Sequence, residues 1–203
     1  MKILNLHGFL GKIDNKNYQA LCELLPDAEI TSPKLAFEHL TPQALLQQLA
    51  ETAGAKEIAL VVGQSLGGAF GLIIAKQLGV PCILTNPCLE PANTKIIQES
   101  DKLSKELFQE YEKMNFLQPY EKAYILLSDQ DEIISGNPER CRKLTPHVKM
   151  TSGKHSGIDD LLKDWQIAAA DVRIEVIFAF FARESNRDTI LFRGSGNRLA
   201  ILL

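Results

Sequence analysis

The sequence lacks several features that mark whole classes of protein. It has no CxxC pair, no Cys–His spacing typical of a zinc finger and no N-x-[ST] sequon. Its longest apolar run, Val176 to Ala182, is far shorter than the roughly 20 residues that span a bilayer. No long apolar stretch with a small-residue cleavage site follows Met1. We therefore expect a cytoplasmic protein with reduced cysteines, without a signal peptide, a metal site or a membrane segment.

Arginine is absent from residues 1–139, and lysine is absent from residues 164–203. The 22 basic and 25 acidic residues leave a net charge of −3 over 203 residues, so we expect no binding to nucleic acid. A content of 45% hydrophobic and 23% charged residues is ordinary for a globular chain and excludes disordered and fibrous classes. The charge pattern predicts one domain over residues 1–182 and a tail of different origin or role over residues 183–203.

Short apolar runs alternate with helix-like stretches along most of the chain. The run from Ile58 to Val62 is apolar on both faces, as in a central strand that is covered by helices on both sides. Such alternation predicts an α/β fold with a doubly wound, mostly parallel sheet. We expect about six strands: Ile3–Leu6, Ala28–Thr31, Glu57–Val62, Pro81–Thr85, Ala123–Leu127 and Val148–Thr151.

Two segments interrupt this pattern. Residues 93–118 carry apolar side chains at three-, four- and seven-residue offsets, which predicts an amphipathic helix or helix pair. It is either an ordinary crossover helix or a lid over a site. In the tail, apolar runs flank Arg193 to Asn197, which predicts a β-hairpin on a sheet edge or a contact that forms a homodimer.

A G-x-S-x-G motif, made of Gly63, Ser65 and Gly67, lies between a predicted strand and a predicted helix. Small residues two positions before and after a serine let the backbone close a tight turn that exposes the serine oxygen. N–H groups at the helix N-terminus favour negative charge that develops there. The motif therefore predicts a nucleophile at Ser65; the alternative is a serine that caps a helix in a glycine-rich turn. The spacing fits neither of the glycine motifs that bind nucleotides.

A serine nucleophile needs a base and a carboxylate, which in this architecture follow it in the order acid, then histidine. Of the four histidines, only His147 and His155 lie after Ser65. His147 begins the last predicted strand, whereas His155 lies in the loop that follows it, at the end where the site should be. We therefore predict His155 as the base and assign no role to His39.

The acid should lie in the loop after the preceding strand, where the sequence reads S-D-Q-D-E over residues 128–132. We prefer Asp131, which falls deeper in the loop, and expect Asp129, nearer the strand end, to shape the turn. Asp159 and Asp160 are expected to cap a final helix.

The oxyanion of an acyl-transfer reaction needs backbone N–H donors beside the nucleophile. Leu66 directly follows Ser65, and the turn after the first predicted strand contains His7, Gly8 and Phe9. We predict the N–H groups of Phe9 and Leu66 as the two donors, with His7 as a hydrogen-bonding residue that stabilises its turn.

These segments together resemble the α/β-hydrolase superfamily and, more closely, the small YqiA-like esterases. The resemblance covers roughly residues 1–182 and does not require the tail. It is carried by H-G-F at residues 7–9, G-Q-S-L-G-G at 63–68, T-N-P-C-L-E-P at 85–91, D-Q-D-E at 129–132 and G-K-H-S-G at 153–157.

The resemblance implies Ser65, Asp131 and His155 as the catalytic residues and a site that needs no cofactor. It also implies that the bound substrate is bordered by His7, Gly8, Gln64, Asn86 and Pro87. Gln64 departs from the family pattern, since a smaller residue is common there.

The sequence thus predicts a serine hydrolase that cleaves small-molecule acyl esters through an acyl-enzyme. A thioesterase or amidase with the same catalytic residues is the alternative within this chemistry. From another class, the chain could be a catalytically silent binding protein, because a fold does not by itself determine a function.

Overall fold

Seven β-strands form one sheet in the computed structural model, which describes residues 1–159, 161 and 163–165. The apolar run from Val176 to Ala182, Asp160 and the tail of residues 183–203 therefore lie outside the described residues. The strands are β1 (Lys2–Leu6), β2 (Glu29–Thr31), β3 (Leu60–Gln64), β4 (Cys82–Thr85), β5 (Ala123–Gln130), β6 (Val148–Lys154) and β7 (Gly157–Ile158).

The strand order across the sheet is β2-β1-β3-β4-β5-β6-β7, and every neighbouring pair is parallel except β6 and β7. The predicted doubly wound, mostly parallel sheet is confirmed. The seventh strand was not predicted, because two residues in antiparallel pairing carry no periodic signal. The third strand begins at Leu60 and not at Glu57, because the backbone of Glu57 has a φ of 50°, which no extended strand allows.

In the part of the chain that the structure describes, six α-helices connect the strands: α1 (Lys16–Leu24), α2 (Pro42–Gly54), α3 (Ser65–Leu78), α4 (Lys95–Gln98), α5 (Lys105–Glu112) and α6 (Asn137–Arg142). Thr41 caps α2 through a hydrogen bond from the N–H of Ala44, and Pro42 takes the first helical position, as the sequence predicts. The third helix begins at Ser65 and includes Gly67, Gly68 and Gly71, although glycine has a low helix propensity.

Successive strand residues face opposite sides of the sheet, and their side chains form one apolar layer on each side. On one face, Leu4 and Val61 pack with α2, α3 and the 93–118 segment. On the other face, Ile3 and Val62 pack with α1 and with Trp165. The sheet is thus covered on both sides, and its central strands are buried along their length. No helix in the described part of the chain combines the length and the apolar character that crossing a bilayer would require.

The 93–118 segment contains the two short helices α4 and α5, preceded by a 3₁₀ turn over Pro91–Asn93. Its second half packs on the core through Tyr111 and Phe116, whose rings lie 6.4 and 5.3 Å from the ring of Phe70. The hydroxyl of Tyr111 also donates to the carbonyl of Phe37 at 3.3 Å.

Two glycines at helix ends differ only in backbone conformation and allow a matched test. Gly79 ends α3 with a φ of 71°, and a Cβ at Gly79 or Gly54 would meet nothing within 4 Å. We expect Gly79→Ala to lower the free energy of unfolding by about 1–2 kcal/mol, because the new Cβ strains a left-handed residue. Gly54→Ala should instead raise it by roughly 0.4–1 kcal/mol. Urea unfolding measures both, and equal effects of the two substitutions would contradict this account.

Candidate active site

The turn between β3 and α3 holds Ser65 in a left-handed conformation with a φ of 52°. Such a conformation costs on the order of 1–3 kcal/mol in a residue with a side chain, so the surroundings must enforce it. A Cβ at Gly63 would lie 2.6 Å from the carbonyl oxygen of Gly67, and a Cβ at Gly67 would overlap the carbonyl oxygen of His7. Glycine is therefore required on both sides of Ser65, which is the physical reason for the G-x-S-x-G spacing.

A continuous chain of hydrogen bonds joins Ser65, His155 and Asp131. The Oγ atom of Ser65 lies 2.8 Å from Nε2 of His155, and Nδ1 of His155 lies 3.0 Å from both carboxylate oxygens of Asp131. With the proton on Nδ1, His155 donates to Asp131 and its Nε2 accepts from the Ser65 hydroxyl. The other histidine that follows Ser65, His147, stacks on Tyr124 instead.

The carboxylate of Asp131 is half-buried and held by main-chain donors. Its Oδ1 atom accepts from the N–H groups of Ile133 and Ile134 at 2.9 and 3.0 Å. Burial acts to raise the pKa of Asp131, but the hydrogen bonds from His155 and these two N–H groups outweigh it and hold the pKa below its ordinary value. Asp131 is therefore ionised at neutral pH and can stabilise a positively charged imidazole.

Asp129 has a different place in the same loop. Its side chain is exposed, and Oδ1 accepts from the N–H of Gly153 at 3.2 Å, which joins the end of β5 to the end of β6. The pairing of these strands shifts register between Ser128 and Gln130, so the two carboxyl groups of the loop face different neighbours. The structure brings Asp131, and not Asp129, to His155.

Glu132 contacts His155 as well, and the sequence argument did not identify it. Its Oε2 atom accepts from the backbone N–H of His155 at 3.1 Å. Its own N–H and that of His155 lower the pKa of Glu132, so its carboxylate is charged at neutral pH. The only signal in the sequence is its position next to Asp131, which does not distinguish a contact with the backbone from a solvated side chain.

Backbone from two segments surrounds the Ser65 side chain. A Cβ at Gly8 would lie 2.9 Å from Cβ of Ser65 and 3.4 Å from its Oγ, so the turn after β1 lies directly against Ser65. Phe9 is the next residue of that turn. Leu66 lies in the first turn of α3, where N–H groups have no acceptor within the helix. The two predicted donor segments are therefore adjacent to the serine oxygen.

His7 lies behind this turn, which differs from the substrate-bordering place expected for it. Its Nδ1 donates to the carbonyl of Gly8 at 2.8 Å, and its Nε2 accepts from the N–H of Leu35 at 3.0 Å. Burial lowers the pKa of His7, an effect that the Gly8 carbonyl only partly opposes. His7 is therefore neutral, and both ring nitrogens are occupied by main-chain groups.

The remaining predicted residues lie around the turn. The side chain of Gln64 donates to the carbonyl of Ser156 at 3.3 Å and, with Lys16 and His155, borders a small polar cavity. Pro87 packs on Gly68, where an added Cβ would be 3.1 Å from the proline ring. Asn86 is buried and hydrogen-bonded to the loop that carries His155. Among the described residues, no three His, Cys, Asp or Glu side chains form a cluster that could hold a metal ion.

The sequence profile of one known family matches most of the chain, including the site. Residues 2–155 match the profile described as "Uncharacterised protein family (UPF0227)", a range that includes all the site residues considered above. No curated protein matches the sequence significantly.

Solved structures with the same architecture are numerous but distant in sequence. One comes from the work on LipS and LipT, two metagenome-derived lipolytic enzymes, at 14% identity and a TM-score of 0.59, covering 90% of this chain and 93% of that one. A pyrethroid hydrolase from Sphingobium faniae JZ-2 has 14% identity and a TM-score of 0.59, with 86% and 97% covered. The esterase domain of a Rhodothermus marinus protein has 18% identity and a TM-score of 0.54, with 90% and 86% covered. At these identities the likeness shows a shared fold.

The environment of His7 predicts a pH dependence of stability. Because its folded pKa is lowered, the unfolded chain binds more protons as the pH falls below the ordinary value of 6.5. The stability that the neutral His7 contributes is therefore complete above pH 6.5, and it is lost as the pH falls towards the pKa of His7 in the folded protein. We expect His7→Gln to lose less unfolding free energy than the wild type between pH 7.5 and 5.5.

Urea unfolding at a series of pH values measures this slope. The control is His39→Gln, which makes the same substitution at an exposed histidine. An unchanged slope in His7→Gln would show that His7 does not carry the effect.

Proposed function

We propose that this chain, which belongs to the UPF0227 family of YqiA-like proteins with the α/β-hydrolase fold, is a serine hydrolase that cleaves carboxylic esters of small acyl groups. The observation that carries the proposal is the chain of hydrogen bonds from Ser65 through His155 to Asp131. It lies at a strained strand-to-helix turn, next to the two backbone segments from which we expect the oxyanion donors.

In the acylation step, Oγ of Ser65 attacks the ester carbonyl while Nε2 of His155 accepts the hydroxyl proton. Asp131 holds the imidazole in the tautomer that can accept this proton and stabilises the imidazolium that forms. The N–H groups of Phe9 and Leu66 donate to the oxyanion of the tetrahedral intermediate. His155 then gives its proton to the leaving alkoxide, and the acyl group remains on Ser65 as an ester.

Deacylation repeats these steps with water. His155 takes a proton from the water, whose oxygen attacks the acyl carbonyl, and then returns the proton to Oγ of Ser65 as the carboxylic acid leaves. All groups required for both half-reactions belong to the protein, so we propose that no cofactor takes part. In this proposal Gly8, Gln64 and Pro87 border the substrate, and the 93–118 segment covers its acyl side.

The expected cellular location is part of this proposal. Among the described residues all four cysteines are free, and three of them, Cys82, Cys88 and Cys141, are buried. Free thiols are typical of a reducing compartment, which supports the cytoplasm. The homodimer through residues 183–203 stays a prediction.

Asp131→Asn and Asp129→Asn form a matched pair that tests the acid. An asparagine at 131 offers an NH₂ group to Nδ1 of His155 and favours the wrong tautomer, so we expect kcat for a nitrophenyl acetate to fall on the order of 10³–10⁴-fold. Asp129→Asn keeps an oxygen that accepts from Gly153 and should remain within about threefold of the wild type. The reverse ranking would assign the acid to Asp129.

The same assay separates the alternative functions when oxygen esters, thioesters and amides of one acyl group are compared. We expect the oxygen ester to be turned over fastest and Ser65→Ala to abolish turnover of all three. Faster thioester or amide cleavage would replace the esterase by that activity. Absence of turnover with every substrate, together with unchanged behaviour of Ser65→Ala, would favour the binding protein.

A further inference from the structure

The side chain of Asn86 connects three chain segments directly below the loop that carries His155. Its Nδ2 atom donates to Oγ of Ser128 at 2.8 Å and to the carbonyl oxygen of His155 at 3.0 Å, with the carbonyl of Lys154 at 3.4 Å. Its Oδ1 atom accepts from the N–H of Ser128 at 2.7 Å. Asn86 is 1% exposed, so none of these bonds competes with bulk water.

These bonds engage both the nitrogen and the oxygen of the Asn86 side-chain amide. The two hydrogens of an asparagine NH₂ group serve the two nearest acceptors, and the amide oxygen already has a donor. The Ser128 hydroxyl in turn donates to the carbonyl of Lys154 at 2.8 Å, which gives that carbonyl a partner of its own. Both N–H hydrogens of the Asn86 amide are therefore committed to protein acceptors, one of them the carbonyl of His155.

The backbone of Asn86 explains why this residue type occurs here. The chain leaves β4 with a φ of 44° at Asn86, while the N–H of Asn86 still pairs with the carbonyl of Leu126 at 2.9 Å. Asparagine tolerates this left-handed region better than most residues with a side chain. This turn places the side-chain amide of Asn86 beside Ser128 in β5 and beside the loop after β6.

His155 is consequently held at four points. Its ring nitrogens contact Ser65 and Asp131, its N–H donates to Glu132, and its carbonyl accepts from Asn86. Only the last of these contacts comes from the segment directly after β4, the strand that pairs with β3. Asn86 therefore links the backbone of His155 to the strand next to the serine turn.

We propose that Asn86 is a positioning residue that holds His155 within reach of Ser65 without touching the substrate. This inference rests on the proposed function, because it assigns Asn86 a part in activating Ser65. Displacing a reacting group by about 1 Å can cost around 10²-fold in rate. Loss of the Asn86 amide should accordingly slow the reaction of Ser65 and leave KM for a short ester nearly unchanged.

Asn86→Gly tests this proposal without straining the backbone, because glycine adopts the left-handed region freely. We expect the second-order rate constant for labelling by a fluorophosphonate to fall about 10–100-fold. In the proton NMR spectrum, the far-downfield resonance of the His155 Nδ1–H, bonded to Asp131, should broaden or disappear. Asn86→Asp is the second variant: it keeps the shape and the acceptor for the Ser128 N–H but loses the two N–H donors, one to Oγ of Ser128 and one to the carbonyl of His155, and the same losses are expected.

Thr145→Val is the matched control. Thr145 is also buried, and its hydroxyl donates to the carbonyl of Ala123 and accepts from the N–H of His147, at the opposite end of β5. The control should lower the melting temperature as a buried polar deletion does, while the labelling rate and the downfield resonance stay as in the wild type.

The outcomes separate this inference from the proposed function. A wild-type protein that is not labelled would contradict the proposed function, and the NMR signal would still report whether Asn86 orders His155. The inference would be overturned if the wild type is labelled and both Asn86 variants keep the wild-type labelling rate and an unchanged downfield resonance. Equal rate losses in Thr145→Val and Asn86→Gly would also overturn it, since the effect would then be one of general stability.

Discussion

The left-handed backbone at Ser65 is the constraint on which the rest of the site depends. It is stable only because Gly63, Gly67 and Gly8 let three backbone segments come closer than any side chain would permit. The same close approach brings the turn after β1 against the serine. The local strain is offset by the buried sheet and by α3, which is enclosed over nearly its whole length.

A single strained serine does not make a reactive site, and the parallel sheet supplies the other groups. The carboxyl ends of β4, β5 and β6 lie side by side, so the segments that follow them meet above the same edge. The loop after β5 brings Asp131 and Glu132 to His155, and the end of β4 brings Asn86 to its carbonyl. Since these contacts come from the segments after two neighbouring strands, the position of His155 depends on the sheet as well as on its own loop.

The sequence was sufficient where a pattern depends on local backbone or on strand order. The glycine spacing around Ser65 reports a steric requirement of the turn, and chain order with loop position predicted the approach of Asp131 and His155 to Ser65. The predicted strands are all present because apolar runs in a parallel sheet are continuous. These arguments needed no knowledge of which side chain contacts which carbonyl.

What the sequence did not reveal depends on such contacts. The contacts of Asn86 and Glu132 with the backbone of His155, and of His7 with the N–H of Leu35, join residues far apart in the chain, and residue type carries no signal for these partners. The late start of β3 depends on a left-handed Glu57, and glutamate has no preference for that conformation. Motifs thus predicted which side chains meet at Ser65, and only the structure identified the contacts that surround them.

The central claim is that Ser65 is the activated nucleophile. Mass spectrometry of the protein after reaction with a fluorophosphonate, followed by peptide mapping of the adduct, tests it most directly. The account predicts one label per chain, located on Ser65 and absent after denaturation or in Ser65→Ala. A folded protein that remains unlabelled, or a label on any other residue, would contradict it.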